Sequence, residues 1–303
     1  MGLLDKILEE TGKVVVGKRD AIAGIVAAIV AGGHVLLEGV PGVAKTLIAK
    51  AVASSLGLDF GRIQFVPDLL PSDITGTMIW KGGEFVLHKG PVFTEILLAD
   101  EINRAPPKTQ AALLQAMQER EVTIWGTTYK LSPLFTVIAT MNPVEYEGVY
   151  PLSEAQVDRF MAKIRIDYPS LEEAIEIIDR LETIERWPVR PVTTRDEILS
   201  MRSRIWSIYT DRNVKMYAAL IAEATRHDSR VLLGGSPRAV ISMIQLARAM
   251  ALLQGHDYVE PDDIKKVAHY ALDHRIILKP EARLSGETPE RVVGQALEKV
   301  EPP

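Results

Sequence analysis

Gly39-Val40-Pro41-Gly42-Val43-Ala44-Lys45-Thr46 lies between the apolar run Val35-Leu36-Leu37 and a stretch, Lys45 to Leu56, whose apolar residues recur at helical spacing. A strand, a glycine-rich turn and a helix in that order are what a phosphate-binding loop requires. Glycines let backbone N–H groups curl around phosphate oxygens, and the new helix adds its positive end. Lys45 then reaches the outer phosphates, and the Thr46 hydroxyl serves as a magnesium ligand. The strict pattern has glycine immediately before the lysine. Here that residue is Ala44, whose methyl is tolerable if it takes helical dihedrals.

Outward from this loop, short apolar runs alternate with helical patterns to about residue 168, which predicts a parallel sheet flanked by helices. Buried strands are expected at Val35–Glu38, Arg62–Phe65, Glu95–Ala99, Thr136–Thr140 and Lys163–Ile166, and helices at about Ala21–Ala31, Lys45–Leu56 and Lys108–Glu119, with Gly57 as a C-terminal cap. Two stretches break the alternation. Met78–Trp80 and Glu84–His88 flank Lys81-Gly82-Gly83, and Glu121–Trp125 and Tyr129–Leu131 flank Gly126-Thr127-Thr128, so each reads as an inserted hairpin. After Tyr168-Pro169 the pattern is helical only: about Leu171–Thr183, Arg195–Ser207, Val214–His227, Pro237–Leu253, Pro261–Leu272 and Pro289–Val300. Residues 1–168 are therefore expected to form an α/β nucleotide-binding domain, and residues 169–303 an all-α domain.

Glu95-Ile96-Leu97-Leu98-Ala99-Asp100-Glu101 is an apolar strand that ends in two carboxylates, 55 residues after Lys45. Asp100 has the place of a magnesium ligand, usually through its water, and Glu101 that of the base that orients and deprotonates an attacking water. Val137-Ile138-Ala139-Thr140-Met141-Asn142 ends a further buried strand in an amide. Ligands of open α/β sheets bind at the carboxyl ends of strands, so Asn142 can position that water; its other reading is a turn residue before Pro143.

A chain of 303 residues has room for about two domains. It contains no cysteine, which excludes disulfides, thiolate metal sites and a cysteine nucleophile, and fits a reducing, cytoplasmic setting. The net charge of −5 gives no basic excess for a polyanion, so nucleic acid is disfavoured as a partner. The longest charge-free run, Ala21 to Leu37, has 17 residues, short of the roughly 20 that a membrane helix needs, and reads as a buried helix and strand. Asp5, Lys6, Glu9 and Glu10 stand where a secretion signal needs an apolar stretch. His269 and His274 are five apart, which does not put both on one helix face, so no zinc is expected. Trp80 and Trp125, each beside a hairpin turn, read either as contacts to a client protein or as pins for their hairpins. Arg104, just after the acidic pair, is an intersubunit contact or a solvated base.

The sequence resembles the MoxR group of the AAA+ ATPases, within the helix-2-insert clade. The resemblance is carried by GVPGVAKT, DLLPSDITGT (Asp68–Thr77), LLADEINRAPPKTQAALLQAMQE (Leu97–Glu119), ATMNPVEYEGVYPLSEAQVDRF (Ala139–Phe160) and GGSPRA (Gly234–Ala239), and it covers nearly the whole chain. It implies a P-loop AAA+ core followed by a helical lid. ATP is then held by the loop from Gly39 to Thr46, with Gly39, Val40, Pro41, Gly42, Val43, Ala44, Lys45 and Thr46, by the adjoining Leu47, and by Val16-Gly17 beside the adenine. Mg2+ falls to Thr46 and Asp100. Asn142 matches the sensor-1 residue, Arg159 the arginine finger that reaches a neighbouring subunit's nucleotide, and Arg238 the sensor-2 residue of a lid helix. The two hairpins match the helix-2 insert and the pre-sensor-1 hairpin.

Read from the residues alone, Arg159 makes an intrachain pair with Asp158 or another surface carboxylate, and Arg238 is an exposed first-turn arginine; the resemblance implies that Arg238 serves its own nucleotide or a neighbour's. The resemblance implies a homo-oligomer, a hexameric ring that remodels or activates client proteins, often ones with von Willebrand A domains, and assists metal or cofactor insertion. Insert-bearing relatives include nucleic-acid motors and metal-chelatase subunits. A nucleotide-gated binding module with little hydrolysis is the reading from a different class, against which the intact Glu101 argues.

Overall fold

Val35, Leu36 and Leu37, Ile96 to Ala99, and Val137 to Ala139 are all fully buried. Strands with no solvent face can be satisfied only inside a sheet covered on both sides by helices. The computed structural model, which describes residues 2–143 and 148–303, has this arrangement. Residues 144–147, part of the stretch from Ala139 to Phe160 that carries the family resemblance, lie outside the described residues.

Helices α1 (Leu3–Thr11) and α2 (Arg19–Ala31) precede β1 (Val35–Glu38), which the glycine-rich loop joins to α3 (Lys45–Ser55). Then come β2 (Phe60–Gln64), α4 (Pro71–Thr75), a hairpin of β3 (Gly76–Lys81) and β4 (Glu84–Lys89), and β5 (Ile96–Asp100). Next are α5 (Pro107–Glu119), a hairpin of β6 (Glu121–Ile124) and β7 (Thr127–Lys130), β8 (Thr136–Met141), α6 (Glu154–Val157) and β9 (Ala162–Arg165). The rest of the chain adds α7 (Leu171–Asp179), α8 (Leu181–Glu185), α9 (Arg195–Arg204), α10 (Arg212–Arg226), β10 (Val231–Leu233), α11 (Pro237–Gln254), α12 (Pro261–Leu272), β11 (Ile277–Leu278), α13 (Pro280–Leu284) and α14 (Pro289–Lys299).

The five sheet strands run parallel in the order β2-β5-β8-β1-β9. Register places Gln64 opposite Asp100 and Leu37 opposite Thr140, so the carboxyl ends of β1, β2, β5 and β8 form one edge. Alternation along each strand separates two cores. Leu36, Leu97, Val137 and Ala139 face the layer holding α5 and the second hairpin; Leu37, Ile96, Leu98 and Ile138 face the layer holding α1, α2 and α3. That second core continues without a break into α10, α11, α12 and α14. Gly24 permits the join, because a Cβ there would stand 2.8 Å from the ring of Tyr270, whose hydroxyl donates to the Asp20 carbonyl at 2.9 Å.

Several sequence expectations are corrected. The second half is not purely helical: Val231 pairs with Leu278 and Leu233 with Ile277 in a small antiparallel ladder. The expected helix from Leu171 to Thr183 is interrupted at Arg180 (φ −96°, ψ 5°). Helix α1, not anticipated, follows from Leu4, Ile7, Leu8 and Thr11, which share one buried face. The second hairpin turns on two residues, Trp125 (φ 50°) and Gly126 (φ 81°), rather than on Gly126 to Thr128. Positive φ at both positions is what a two-residue turn needs to match strand twist. The hairpins lean on one another: Phe85 sits 4.9 Å from Trp80 and 5.1 Å from Trp125, ring centre to ring centre. All three rings remain more than half exposed. No helix among the described residues is long and apolar enough to cross a membrane.

Candidate active site

The loop after β1 is shaped by its small residues. Gly42 has φ +83°, and a Cβ at Gly39 would run into the Ile166 carbonyl. Ala44 takes φ 64°, ψ 22°, the left-handed region, so the expectation of right-handed helical dihedrals is overturned. This is the conformation that favours glycine, and Ala44 carries its strain, about 1–2 kcal/mol. Val43 turns inward and anchors the loop in the core. The Lys45 ammonium donates to the loop's own carbonyls, those of Gly39 and Val40, the latter at 2.7 Å. Pro41, Gly42, Ala44, Lys45, Thr46 and Leu47 face Asp100, Glu101 and Asn142 across a cleft of about 360 Å³.

Asp100 is buried and fully engaged. Its Oδ1 accepts from the Thr140 hydroxyl at 2.6 Å; its Oδ2 accepts from the Thr46 hydroxyl at 3.3 Å and from Arg62 Nη2 at 2.7 Å. Magnesium takes oxygen ligands at about 2.0–2.1 Å in octahedral geometry, which puts neighbouring ligand oxygens about 3 Å apart. The Thr46 hydroxyl and the Asp100 carboxylate meet that spacing and are the right donor type. They fit Mg2+ and would hold it here. Such an ion supplies charge neutralisation on phosphate oxygens.

Glu101 sits in the left-handed region (φ 56°, ψ 52°), which turns its side chain away from the strand direction. Its Oε2 accepts from Gln64 Nε2 at 2.6 Å and from Arg104 Nη1 at 2.9 Å, and its backbone N–H donates to the Thr140 hydroxyl at 2.9 Å. Thr140 thus bridges the two acidic residues. Arg62, Gln64 and Thr140 are not evident from sequence, because their roles come from the register between strands far apart in the chain. Arg104, left open above, is an ion-pair partner of Glu101.

Val16 and Gly17 lie to one side. Gly17 (φ +67°) backs onto the Glu173 carboxylate, and Lys18 reaches the Tyr168 carbonyl at 3.3 Å. Tyr168 lines a second cleft with Gly39 and Val40, so this segment flanks the loop without facing Lys45.

Arg159 and Arg238 are elsewhere. They line a cleft of about 300 Å³ with Gly33, His34, Arg120 and Arg275. Gly33 and His34 precede β1 and Met161 precedes β9, so this cleft lies at the amino edge of the sheet, a strand length of about 13 Å from the loop. Asp158 pairs with Arg238 at 3.1 Å and with Arg275 at 2.6 Å; among the described residues Arg159 makes no ion pair, so the intrachain pair with Asp158 is not formed. The cleft is strongly cationic. Burial and the charges of Arg120 and Arg202 push buried His34 down to about 3, while burial and Arg120 bring Arg202 down to about 10. His34 is therefore neutral, accepting from the Val137 N–H at Nδ1 and donating from Nε2 to the Met117 carbonyl.

Comparison with known proteins agrees with this fold. Residues 34–162 match the ATPase family associated with various cellular activities (AAA), and residues 223–296 match an AAA lid domain. The chain is 46% identical to YeaC of Bacillus subtilis, over 99% of this chain and 95% of that protein, and 42% identical to Chaperone MoxR1 of Mycobacterium tuberculosis, over 98% and 81%. A crystal structure of a protein from Cytophaga hutchinsonii superposes with a TM-score of 0.91 at 44% identity, covering 99% of this chain and 94% of that one. With a parallel sheet carrying the phosphate loop, a lid match and near full-length relatives of this kind, the chain belongs to the MoxR family of AAA+ ATPases.

Proposed function

We propose that this protein hydrolyses ATP with Mg2+ and uses the cycle to remodel or activate partner proteins. The observation that carries the reading is the convergence of Lys45, Thr46, Asp100, Glu101 and Asn142 on one cleft at the carboxyl edge of the sheet. Lys45 meets the outer phosphates, and Thr46 and Asp100 hold the ion. Asn142 orients a water whose oxygen attacks the γ-phosphorus in line with the β–γ bridge. Glu101 takes its proton as that bridge breaks, leaving ADP and inorganic phosphate. Gly39 to Leu47 cradle the nucleotide, and Val16-Gly17 lies on the adenine side.

Arg159 and Arg238 serve a neighbour. Both stand on the face opposite the loop, which supports a ring in which each subunit offers them to the next subunit's phosphates. An arginine supplied in this way contributes about 10³ to 10⁵ in rate. We take residues 1–168 as the nucleotide-binding domain and residues 169–303 as the lid. The ring is hexameric, and the protein works in the cytoplasm. Its clients include proteins with von Willebrand A domains, whose maturation or cofactor insertion it assists; the chaperone designation of the Mycobacterium tuberculosis relative supports action on client proteins.

Nucleotide binding and steady-state hydrolysis of the native chain, Lys45→Ala and Glu101→Gln test the assignment. Lys45→Ala loses binding. Glu101→Gln keeps binding and loses turnover by about 10²- to 10⁴-fold. Native turnover in Glu101→Gln would exclude Glu101 as the base.

A further inference from the structure

Arg275 is the most deeply held charge near the arginine cleft. Its side chain is 4% exposed, and of its four hydrogen bonds three go to Asp158 and Phe160 and one to Ala271 in the preceding helix α12. Nε donates to Asp158 Oδ1 at 2.6 Å; Nη2 donates to the Asp158 carbonyl at 3.2 Å and to the Phe160 carbonyl at 3.0 Å; Nη1 donates to the Ala271 carbonyl at 2.6 Å. The carbonyls of Asp158 and Phe160 are those that flank Arg159. His274 adds a second donor, Nε2, to the Phe160 carbonyl at 3.1 Å. The other oxygen of Asp158, Oδ2, holds Arg238 at 3.1 Å.

A buried guanidinium costs several kcal/mol in lost hydration, and an apolar residue would fill the same space more cheaply. What a guanidinium supplies is a rigid planar fork that can hold two carbonyls and a carboxylate at once, which a lysine ammonium cannot do. The fork reaches from the helical half of the chain into the turn between α6 and β9. It fixes the backbone on both sides of Arg159 and, through Asp158, one end of Arg238.

We infer that Arg275 is the positioning residue for this pair of arginines: it sets the turn that presents Arg159, and through Asp158 it orients Arg238 toward the same partner. The lid of one subunit thereby determines how well that subunit's arginines meet the phosphates of its neighbour. The inference rests on the reading that Arg159 acts on a neighbouring subunit.

Arg275→Lys keeps the charge and removes the fork. In the assembled protein its kcat falls about 10- to 100-fold, as expected for a displacement of about 1 Å, with ATP affinity and KM unchanged. Combined with Arg159→Ala and Arg238→Ala together, it is no slower than that double variant alone. Mixing separates positioning in trans from local damage. Glu101→Gln subunits have a native arginine turn and no base, whereas Arg275→Lys subunits have a native base, so the mixture regains turnover that neither has alone. Arg159→Ala mixed with Glu101→Gln is the control and regains turnover in the same way. Recovery in the control alone, or native turnover in Arg275→Lys, overturns the inference and leaves the trans-acting finger standing. Recovery in neither mixture overturns both. If Arg275→Lys does not fold, Asp158→Asn takes its place, with the same outcomes expected and the same ones fatal.

Discussion

Gln64 Nε2 lies 2.6 Å from Glu101 Oε2, joining the end of β2 to the residue that follows β5. Because β2 and β5 run in parallel register with Gln64 opposite Asp100, the amide reaches past the Asp100 carboxylate to hold Glu101, the proposed base, behind it. Removing it frees a carboxylate that Arg104 then holds from one side only. Gln64→Ala is expected to lower kcat about 10-fold with KM for ATP unchanged, since orientation and not substrate binding is lost. Steady-state kinetics decide this. A rise in kcat would mean that the pair restrains an idle base.

Ala44 gives a prediction whose sign is informative. In an ordinary helix, alanine to glycine costs about 1 kcal/mol. At φ 64° the substitution instead relieves about 1–2 kcal/mol of backbone strain, against a loss of about 0.4–1 kcal/mol from the freer unfolded chain. Ala44→Gly is therefore expected to stabilise the protein by about 0.5 kcal/mol in chemical denaturation. A loss of about 1 kcal/mol would place the residue in right-handed dihedrals.

His34 makes stability depend on acid. Its folded value of about 3 lies below the ordinary 6.5, chiefly through burial and then through Arg120. Protonation favours the unfolded chain, so the contribution is complete above pH 6.5 and is lost as pH falls from 6.5 toward 3, by up to about 1.4 kcal/mol per pH unit. His34→Asn removes the titrating group. Denaturation at pH 7 and pH 4.5 is expected to show a smaller loss in the variant than in the native chain; equal losses would show that His34 does not carry the dependence.

The loop, its strand and its helix were legible because each is defined by neighbours in the chain: an apolar run, glycines where the backbone must turn, then helical periodicity. The five sheet strands were located to within about two residues for the same reason. Residues whose meaning depends on distant pairing were not legible. Thr140 bridges Asp100 and Glu101 only because β8 lies beside β5, and Gln64 reaches Glu101 only because β2 does. The β10–β11 ladder joins segments more than forty residues apart, each too short to show a period of two. Arg275 belongs to no motif, and its bonds to Asp158 and Phe160 are set by how the helical half docks on the turn before β9. At Ala44 the local rule fails, because tertiary context imposes a glycine-like conformation on alanine.

The most direct test of the account is ATP turnover per chain measured against protein concentration, with particle mass followed by light scattering and Arg159→Ala run beside the native chain. The account predicts that specific activity climbs as larger particles form, and that Arg159→Ala abolishes the climb while still binding ATP. Flat activity, unchanged mass and a silent Arg159→Ala would contradict it.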